Sequence, residues 1–265
     1  MISLIELLKE AVSKPKAIIL AGAPGAGKGY ILRGLDLAGL KVLNVDDIYV
    51  PLLQKANVTL DLKNATPEER SEQAKQMAAA NKQFKGDVEA TIEGKESFIL
   101  DGTGASYNST AKLKNELEEA GYEVFMLYVY TDLQRSLSQN QDRYEKSEGK
   151  DRSLAPAIVM RTWKSVTDNL PKYAELFGNN FVAVANTLDD KMQDIDKIIK
   201  KYLTPFDPQG TKPKTPKEQA KSDARKAKDK EEIQAMLSDD FIYDVIEYTI
   251  SKEEAQMRIG KFLNS

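Results

Sequence analysis

The run Gly22-Ala23-Pro24-Gly25-Ala26-Gly27-Lys28-Gly29 links a hydrophobic stretch, Ala17 to Ala21, to a segment of helical pattern. Between a strand and a helix, such glycines let backbone N–H groups turn inward around a polyphosphate. The helix that follows directs its positive end at the same anion, and Lys28 adds a mobile cation. Residues 22–30, from Gly22 to Tyr30, are therefore the expected nucleotide-phosphate set. One departure stands out: the position after the lysine, ordinarily Ser or Thr for Mg²⁺, is Gly29, and the next is Tyr30. Direct metal ligation by this loop loses its usual hydroxyl.

A second hydrophobic stretch, Val42 to Val45, runs into Asp46-Asp47. A carboxylate at the C-terminal edge of the strand beside a phosphate loop can take the proton of a substrate hydroxyl as its oxygen attacks phosphorus. Asp46 is the expected base, and Asp47 is the better candidate for capping the helix that follows. Phe98-Ile99-Leu100 leads into Asp101-Gly102-Thr103-Gly104, which is also good turn chemistry of the Asx kind. Farther on come Asn140-Gln141-Asp142-Arg143 and then Asp151-Arg152 ahead of Pro156. Guanidinium groups suit a transferring phosphoryl group, because they bind its oxygens in a fork and offset charge that spreads in the transition state.

The elements that must position these groups alternate. Strand-like runs at Ala17 to Ala21, Lys41 to Val45, Ser97 to Leu100, Tyr122 to Tyr130 and Asn180 to Ala185 are separated by helical patterns, which predicts a parallel sheet covered by helices. A short amphipathic helix is expected over Ile2 to Val12. A long one is expected from Thr66 to Glu93, with Thr66 as cap and Pro67 in its first turn. Trp163, Tyr173 and Phe177 fall at helical spacing and read as packing residues. The expected fold class is α/β, with a five-stranded, mainly parallel sheet covered by helices and a C-terminal helical tail.

Composition bounds the chemistry. With no Cys and no His, disulfides and the usual zinc and transition-metal sites are excluded, so a hard cation held by oxygens is the metal option. A net charge of −3 gives no overall reason to bind nucleic acid or an anionic membrane, and the apolar runs are too short to span a bilayer. The expected setting is cytoplasmic, with no membrane association.

The phosphate loop resembles that of adenylate kinases, which also carry Gly after the lysine and then Thr, where this chain has Tyr30. Over roughly Lys16 to Tyr202 the chain is more similar to the zeta toxin and polynucleotide kinase group of P-loop kinases. That resemblance implies a P-loop kinase-type three-layer α/β fold with a helical lid, and a phosphotransferase using ATP and Mg²⁺, with the acid ending the second strand, Asp46, as base. It implies that Asp101 holds Mg²⁺ through water, that Asp101, Thr103 and Asp47 lie on the substrate side, and that Arg143 and Arg152 belong to a lid over about 132–165. It also implies that the loop at Asn186-Thr187 packs against the adenine. Zeta-type sequences commonly follow the Thr with a large residue and an Arg, whereas this chain has Gly104-Ala105-Ser106, so the acceptor stays open among a nucleic-acid 5′ end, a sugar nucleotide and a small metabolite.

The chain beyond Tyr202 changes character. Residues 1–203 are read as the kinase domain and 204–232 as a charged linker, with four prolines from Pro205 to Pro216 followed by a Lys-rich stretch. Residues 233–265 are read as a helical tail that docks on the kinase body or on a partner protein, with Phe241, Tyr243 and Tyr248 as contacts. The missing loop hydroxyl and this tail also fit a second reading, a nucleotide-binding module without turnover.

Overall fold

The computed structural model describes residues 14–35, 40–62, 65–148, 151–152, 154–187 and 247–265, with isolated helical positions between 216 and 231. The expected helix over Ile2 to Val12, most of the linker and the apolar residues of 233–246 lie outside these.

The elements follow in order as β1 (Lys16–Ala21), α1 (Lys28–Gly34), β2 (Lys41–Asn44), α2 (Asp46–Lys55), α3 (Pro67–Glu93), β3 (Phe98–Asp101), α4 (Tyr107–Glu119), β4 (Glu123–Tyr130), α5 (Leu133–Lys146), α6 (Pro156–Asp168), α7 (Leu170–Phe177), β5 (Phe181–Ala185), β6 (Thr249–Ile250) and α8 (Lys252–Leu263). The strands form one six-stranded sheet in the order β2-β3-β1-β4-β5-β6. Every neighbouring pair is parallel. Five of these strands match the expected runs to within one or two residues. The sixth does not arise from a strand-like run: Thr249-Ile250 is too short to carry a pattern, and only its pairing with Ala183 and Val184 makes it a strand.

Parallel strands need covered faces, and β1 is buried on both sides along its whole length. Ala17, Ile19 and Ala21 pack into one core with Phe98, Tyr128, Tyr173 and Leu117 of α4. Ile18 and Leu20 face the other core, with Ile31 of α1 and with Ala255, Ile259 and Phe262 of α8. The chain leaving β1 thus turns to one face and the chain leaving β3 to the other, although the two strands are neighbours. Their diverging connections open a crevice at the carboxyl edge of the sheet, which is where ligands bind in such sheets.

The long helix α3 starts as expected. Thr66 Oγ1 accepts from the Glu69 N–H at 3.1 Å, and Glu69 Oε2 accepts from the Thr66 N–H at 2.7 Å, a complete capping box with Pro67 just inside. Phe84, Val88 and Ile92 near its end pack on the sheet, while Ala80 and Met77 meet Tyr49 and Leu53 of α2. This second contact fixes the helix that carries Asp46. The helix over Asp46–Lys55 differs from expectation at its start: Val45 is the cap, and Asp46 and Asp47 both lie in the first turn, where their charges complement the helix dipole.

The C-terminal element docks on the body of the fold. Its contacts are Ala255, Ile259 and Phe262 rather than Tyr248, which is exposed, while Phe241 and Tyr243 lie outside the described residues. The end of the chain is tied down further, because Lys16 donates to Ser265 Oγ at 2.9 Å and lies 5.0 Å from the centre of the Phe262 ring. Ile259→Ala should therefore destabilise the whole domain by about 3 kcal/mol in urea unfolding, as expected for a buried core position. A loss below about 1 kcal/mol would mean that α8 is peripheral.

Candidate functional site

The phosphate loop spans β1 and α1, and its backbone is set by packing from outside. Gly25 and Gly27 have φ of 75° and 78°, in the left-handed region. A Cβ on Gly25 would lie 2.4 Å from the Ser136 carbonyl oxygen, and one on Gly27 would lie 2.4 Å from Asn186 Nδ2. Both positions accept only glycine. Ser136 Oγ donates to the Pro24 carbonyl at 2.5 Å, and Asn186 Nδ2 donates to the Ala26 carbonyl at 2.8 Å. Asn186 is itself held by its N–H to Tyr130 O and by Thr131 Oγ1 donating to its carbonyl, at 2.8 Å and 2.9 Å. The loop is braced by α5 on one side and the end of β5 on the other. Here the Asn186 side chain is a buttress behind the loop.

Ahead of the loop, Lys28 Nζ lies 3.2 Å from the Gly22 carbonyl and 3.8 Å from Asp101 Oδ1. The strand register brings these together, since Leu20 of β1 stands beside Asp101 of β3, and Asn44 of β2 stands beside Asp101 on the other flank. Asn44 Nδ2 donates to Asp101 Oδ2 at 2.9 Å, while Asn44 Oδ1 accepts from the Asp46 N–H at 2.9 Å. One amide therefore orients both acids. Asp46 Oδ2 in turn pairs with Arg152 Nη2 at 2.5 Å. The Arg152 guanidinium lies 6.0 Å from the centre of the Tyr49 ring. Arg143 stands beside this group, with Nε 3.6 Å from Asp151 Oδ2.

Burial sets the electrostatics of the pair at the centre. It pulls the Lys28 ammonium below the ordinary lysine range, with Asp101 and Asp46 opposing and Arg143 and Arg152 adding to the effect. It pushes the Asp101 carboxyl up, against the pull of Lys28 and Arg143 and with help from Asp46 and Asp47. Both charged forms are thus held at a disadvantage that an incoming partner can relieve, a common state for groups in a working site. An anion beside Lys28, or a cation beside Asp101, would be such a partner.

The arginines come from the α5–α6 hairpin. Asn140, buried on α5, donates through Nδ2 to the Leu154 carbonyl at 2.9 Å, and its Oδ1 accepts from the Leu154 N–H at 3.2 Å. This two-way clasp holds the segment carrying Arg152 against α5, which carries Arg143.

Of the residues singled out from sequence, Lys28 meets Asp101 and Asp46 meets Arg152, the two pairs being joined through Asn44, and Arg143 and Asp47 act on them by charge. Thr103 plays a turn role: its carbonyl accepts from the Gly22 N–H at 3.0 Å and its hydroxyl accepts from the Ala105 N–H at 3.3 Å. Tyr30 is 59% exposed, and the Lys252 ammonium lies 4.8 Å from its ring centre. Trp163, Tyr173 and Phe177 are packing residues, with Trp163 Nε1 donating to Thr131 O at 2.7 Å. Sequence reasoning missed Asn44, Ser136 and Tyr49, and gave Asn140 no role of its own. An Asn ending a strand is a weak signal, because Asn is disfavoured there, but no pattern in the chain tells that its amide faces two acids.

Asn140→Ala should cost about 2 kcal/mol in urea unfolding, since two hydrogen bonds go and the Leu154 N–H and carbonyl lose their partner. A change within about 0.5 kcal/mol would mean that the clasp does not hold the hairpin.

The family model described as zeta toxin matches residues 4–198. Comparison with curated protein sequences gives no match. Among solved structures, the crystal structure of AvrRxo1-ORF1:AvrRxo1-ORF2 with sulphate ions is similar at 16% identity and a TM-score of 0.50, covering 86% of this chain and 80% of that one. The PezAT chromosomal toxin-antitoxin system of Streptococcus pneumoniae aligns at 18% identity and a TM-score of 0.46, over 88% of this chain and 94% of that one. The Pnkp1/Rnl/Hen1 RNA repair complex aligns at 17% identity and a TM-score of 0.45, over 62% and 48%. With a braced phosphate loop at the carboxyl edge of a parallel sheet and a family match over most of its length, the chain belongs to the zeta toxin family, on a P-loop kinase fold.

Proposed function

We propose that this protein transfers the γ-phosphate of ATP to a hydroxyl of its substrate, with Asp46 as general base. The observation that carries this reading is the convergence of Lys28, Asp46, Asp101 and Arg152, with Arg143 beside them, at the mouth of the phosphate loop. Membership of the zeta toxin family supports it.

Each residue has a chemical task. The loop N–H groups and Lys28 hold the phosphate chain. Arg143 and Arg152 bind γ-phosphate oxygens and offset charge as the phosphoryl group moves. Asp46 accepts the proton of the acceptor hydroxyl, the freed oxygen bonds to the γ-phosphorus, and the bond to the β–γ bridging oxygen breaks to release ADP. Arg152 pairs with Asp46. A γ-phosphate offers that guanidinium a more highly charged, forked partner, so ATP frees the base as it binds. ATP is accordingly the first substrate to bind and the acceptor the second.

The residues fit Mg²⁺ of a particular kind. Position 29 has no hydroxyl, and among the described residues no group of three or more acidic side chains could cage a cation. Asp101 has one oxygen engaged by Asn44 and the other near Lys28. That donor set suits an ion that keeps most of its water, with Asp101 accepting from one of them. When bound, Mg²⁺ offsets charge on the transferring phosphates.

The direct test follows labelled γ-phosphate from ATP with Mg²⁺ into a panel of 5′-hydroxyl oligonucleotides, nucleosides, sugar nucleotides and a metabolite extract. The native protein should label at least one acceptor. Asp46→Asn should lower the rate by about two to four powers of ten, Arg152→Ala by about three, and Lys28→Ala should abolish transfer. ATP binding with no acceptor labelled would favour a nucleotide-binding module without turnover, and full activity in Asp46→Asn would remove Asp46 from the chemistry. A second prediction concerns pH. Because free Lys28 titrates below the ordinary lysine range, ATP binding at higher pH must first restore its proton. Affinity should then fall with rising pH, about tenfold per unit once Lys28 is neutral, from a midpoint below that of a free lysine. Titration of a fluorescent ATP analogue across pH measures this, and Lys28→Arg should flatten the profile.

A further inference from the structure

The positions after Lys28 carry no small hydroxyl side chain, yet each has a cation lying over it. Gly29 and Arg33 are four residues apart on α1, so both lie on one face and the Arg33 side chain runs back toward the phosphate loop. A Cβ added to Gly29 would lie 3.7 Å from Arg33 Nη1. The guanidinium therefore lies against the bare backbone of Gly29, where the side chain of a Ser or Thr would begin. Arg33 is exposed, and among the described residues it forms no ion pair. At Tyr30 the cation arrives from the other end of the sequence. Strand β6 pairs in parallel with β5, Val184 beside Ile250, so the chain reaches the carboxyl edge of the sheet at Ser251 and turns there into α8. Lys252, the first residue of α8, is thereby carried to α1, with its ammonium 4.8 Å from the centre of the exposed Tyr30 ring. The neighbouring Glu254 is engaged elsewhere, pairing with Arg258 at 2.5 Å.

We infer that Arg33 and Lys252 are phosphate-binding residues of the nucleotide site, taking the place of the loop hydroxyls this chain lacks. This rests on the ATP reading above and adds to it. A hydroxyl after the loop lysine acts on the nucleotide through Mg²⁺, whereas a guanidinium binds phosphate oxygens directly and in a fork. Replacing the hydroxyl by glycine opens the surface on which Arg33 lies. Lys252 falls beyond the 4–198 span of the family match, so the C-terminal element contributes a binding residue and is more than a cover for the sheet. The nucleotide should in consequence bind with less help from Mg²⁺ and with strong dependence on ionic strength.

The test is titration of the full-length protein with a fluorescent ATP analogue and with adenosine, each with and without Mg²⁺. It compares the native chain with Arg33→Ala, Lys252→Ala, the double variant and Arg33→Lys, and melting temperature is followed in parallel. Each alanine variant should weaken ATP binding about five- to tenfold, the scale of one charge-assisted contact. The double variant should lose more, Arg33→Lys should recover part of the loss, and adenosine affinity and melting temperature should stay unchanged. The deficit of Arg33→Ala should be larger without Mg²⁺. Unchanged ATP affinity in both alanine variants would overturn the inference, and so would an equal loss for adenosine, which would mark a structural role. Failure of the native protein to bind ATP at all is a different result and would overturn the nucleotide reading itself.

Discussion

The parallel register of β1, β2 and β3 is the constraint on which the site depends. Ile19 of β1 and Leu43 of β2 both stand beside Leu100, so the three carboxyl ends finish at nearly the same height. Whatever follows those ends must share one edge of the sheet. That is why the phosphate loop, Asp46 and Asp101 meet although they lie tens of residues apart in the chain. The register is secured by β1 itself, whose side chains are buried against helices on both faces. A one-residue slip would exchange the two cores, so the alignment is strongly held.

At this edge the charges of the site are matched within the chain. Lys28, Arg143 and Arg152 are matched by Asp101, Asp151 and Asp46, each cation within 4 Å of its acid. Removing one member of such a set from a partly buried place strands its partner, which is why the cluster holds together. The balance also makes it responsive. On the function proposed above, a polyphosphate competes with the carboxylates for the same cations, and Asp46 is released by the event that brings the phosphoryl donor. Because these cations are already matched, a triphosphate would on the same proposal draw on charge from outside the cluster, which gives the cations around Gly29 and Tyr30 their physical motive.

The C-terminal element joins this economy from a distance. Its core residues, Ala255, Ile259 and Phe262, fill the face of the sheet behind α1, and Phe262 also meets Phe125 of β4 with ring centres 5.0 Å apart. A segment that reads in sequence as an amphipathic tail is therefore part of the hydrophobic core. The same packing that stabilises the sheet decides where Lys252 is delivered. Helix α1, short and flanked by the loop, is supported from behind by residues far away in the chain.

Much was legible from the chain alone. The Gly22-to-Lys28 run in its strand–helix frame, the alternation of apolar runs with helical segments, the cap at Thr66 and the acid at the end of β2 all rest on local chemistry, and each lies where local physics puts it. Glycine at 25 and 27 and the absence of Cys and His likewise limit the backbone and the metals without reference to the fold. What tertiary structure alone decided is which groups face one another: Asn44 between two acids, Asn140 across the hairpin, Ser136 and Asn186 behind the loop, Arg152 on Asp46, and the pairing that turns Thr249-Ile250 into a strand. Propensity and periodicity report a residue's preference over a few neighbours, whereas these contacts, the local Asn44–Asp46 bond apart, join positions from 14 to more than 100 residues apart, and only the closed packing of the sheet and its helices sets those distances.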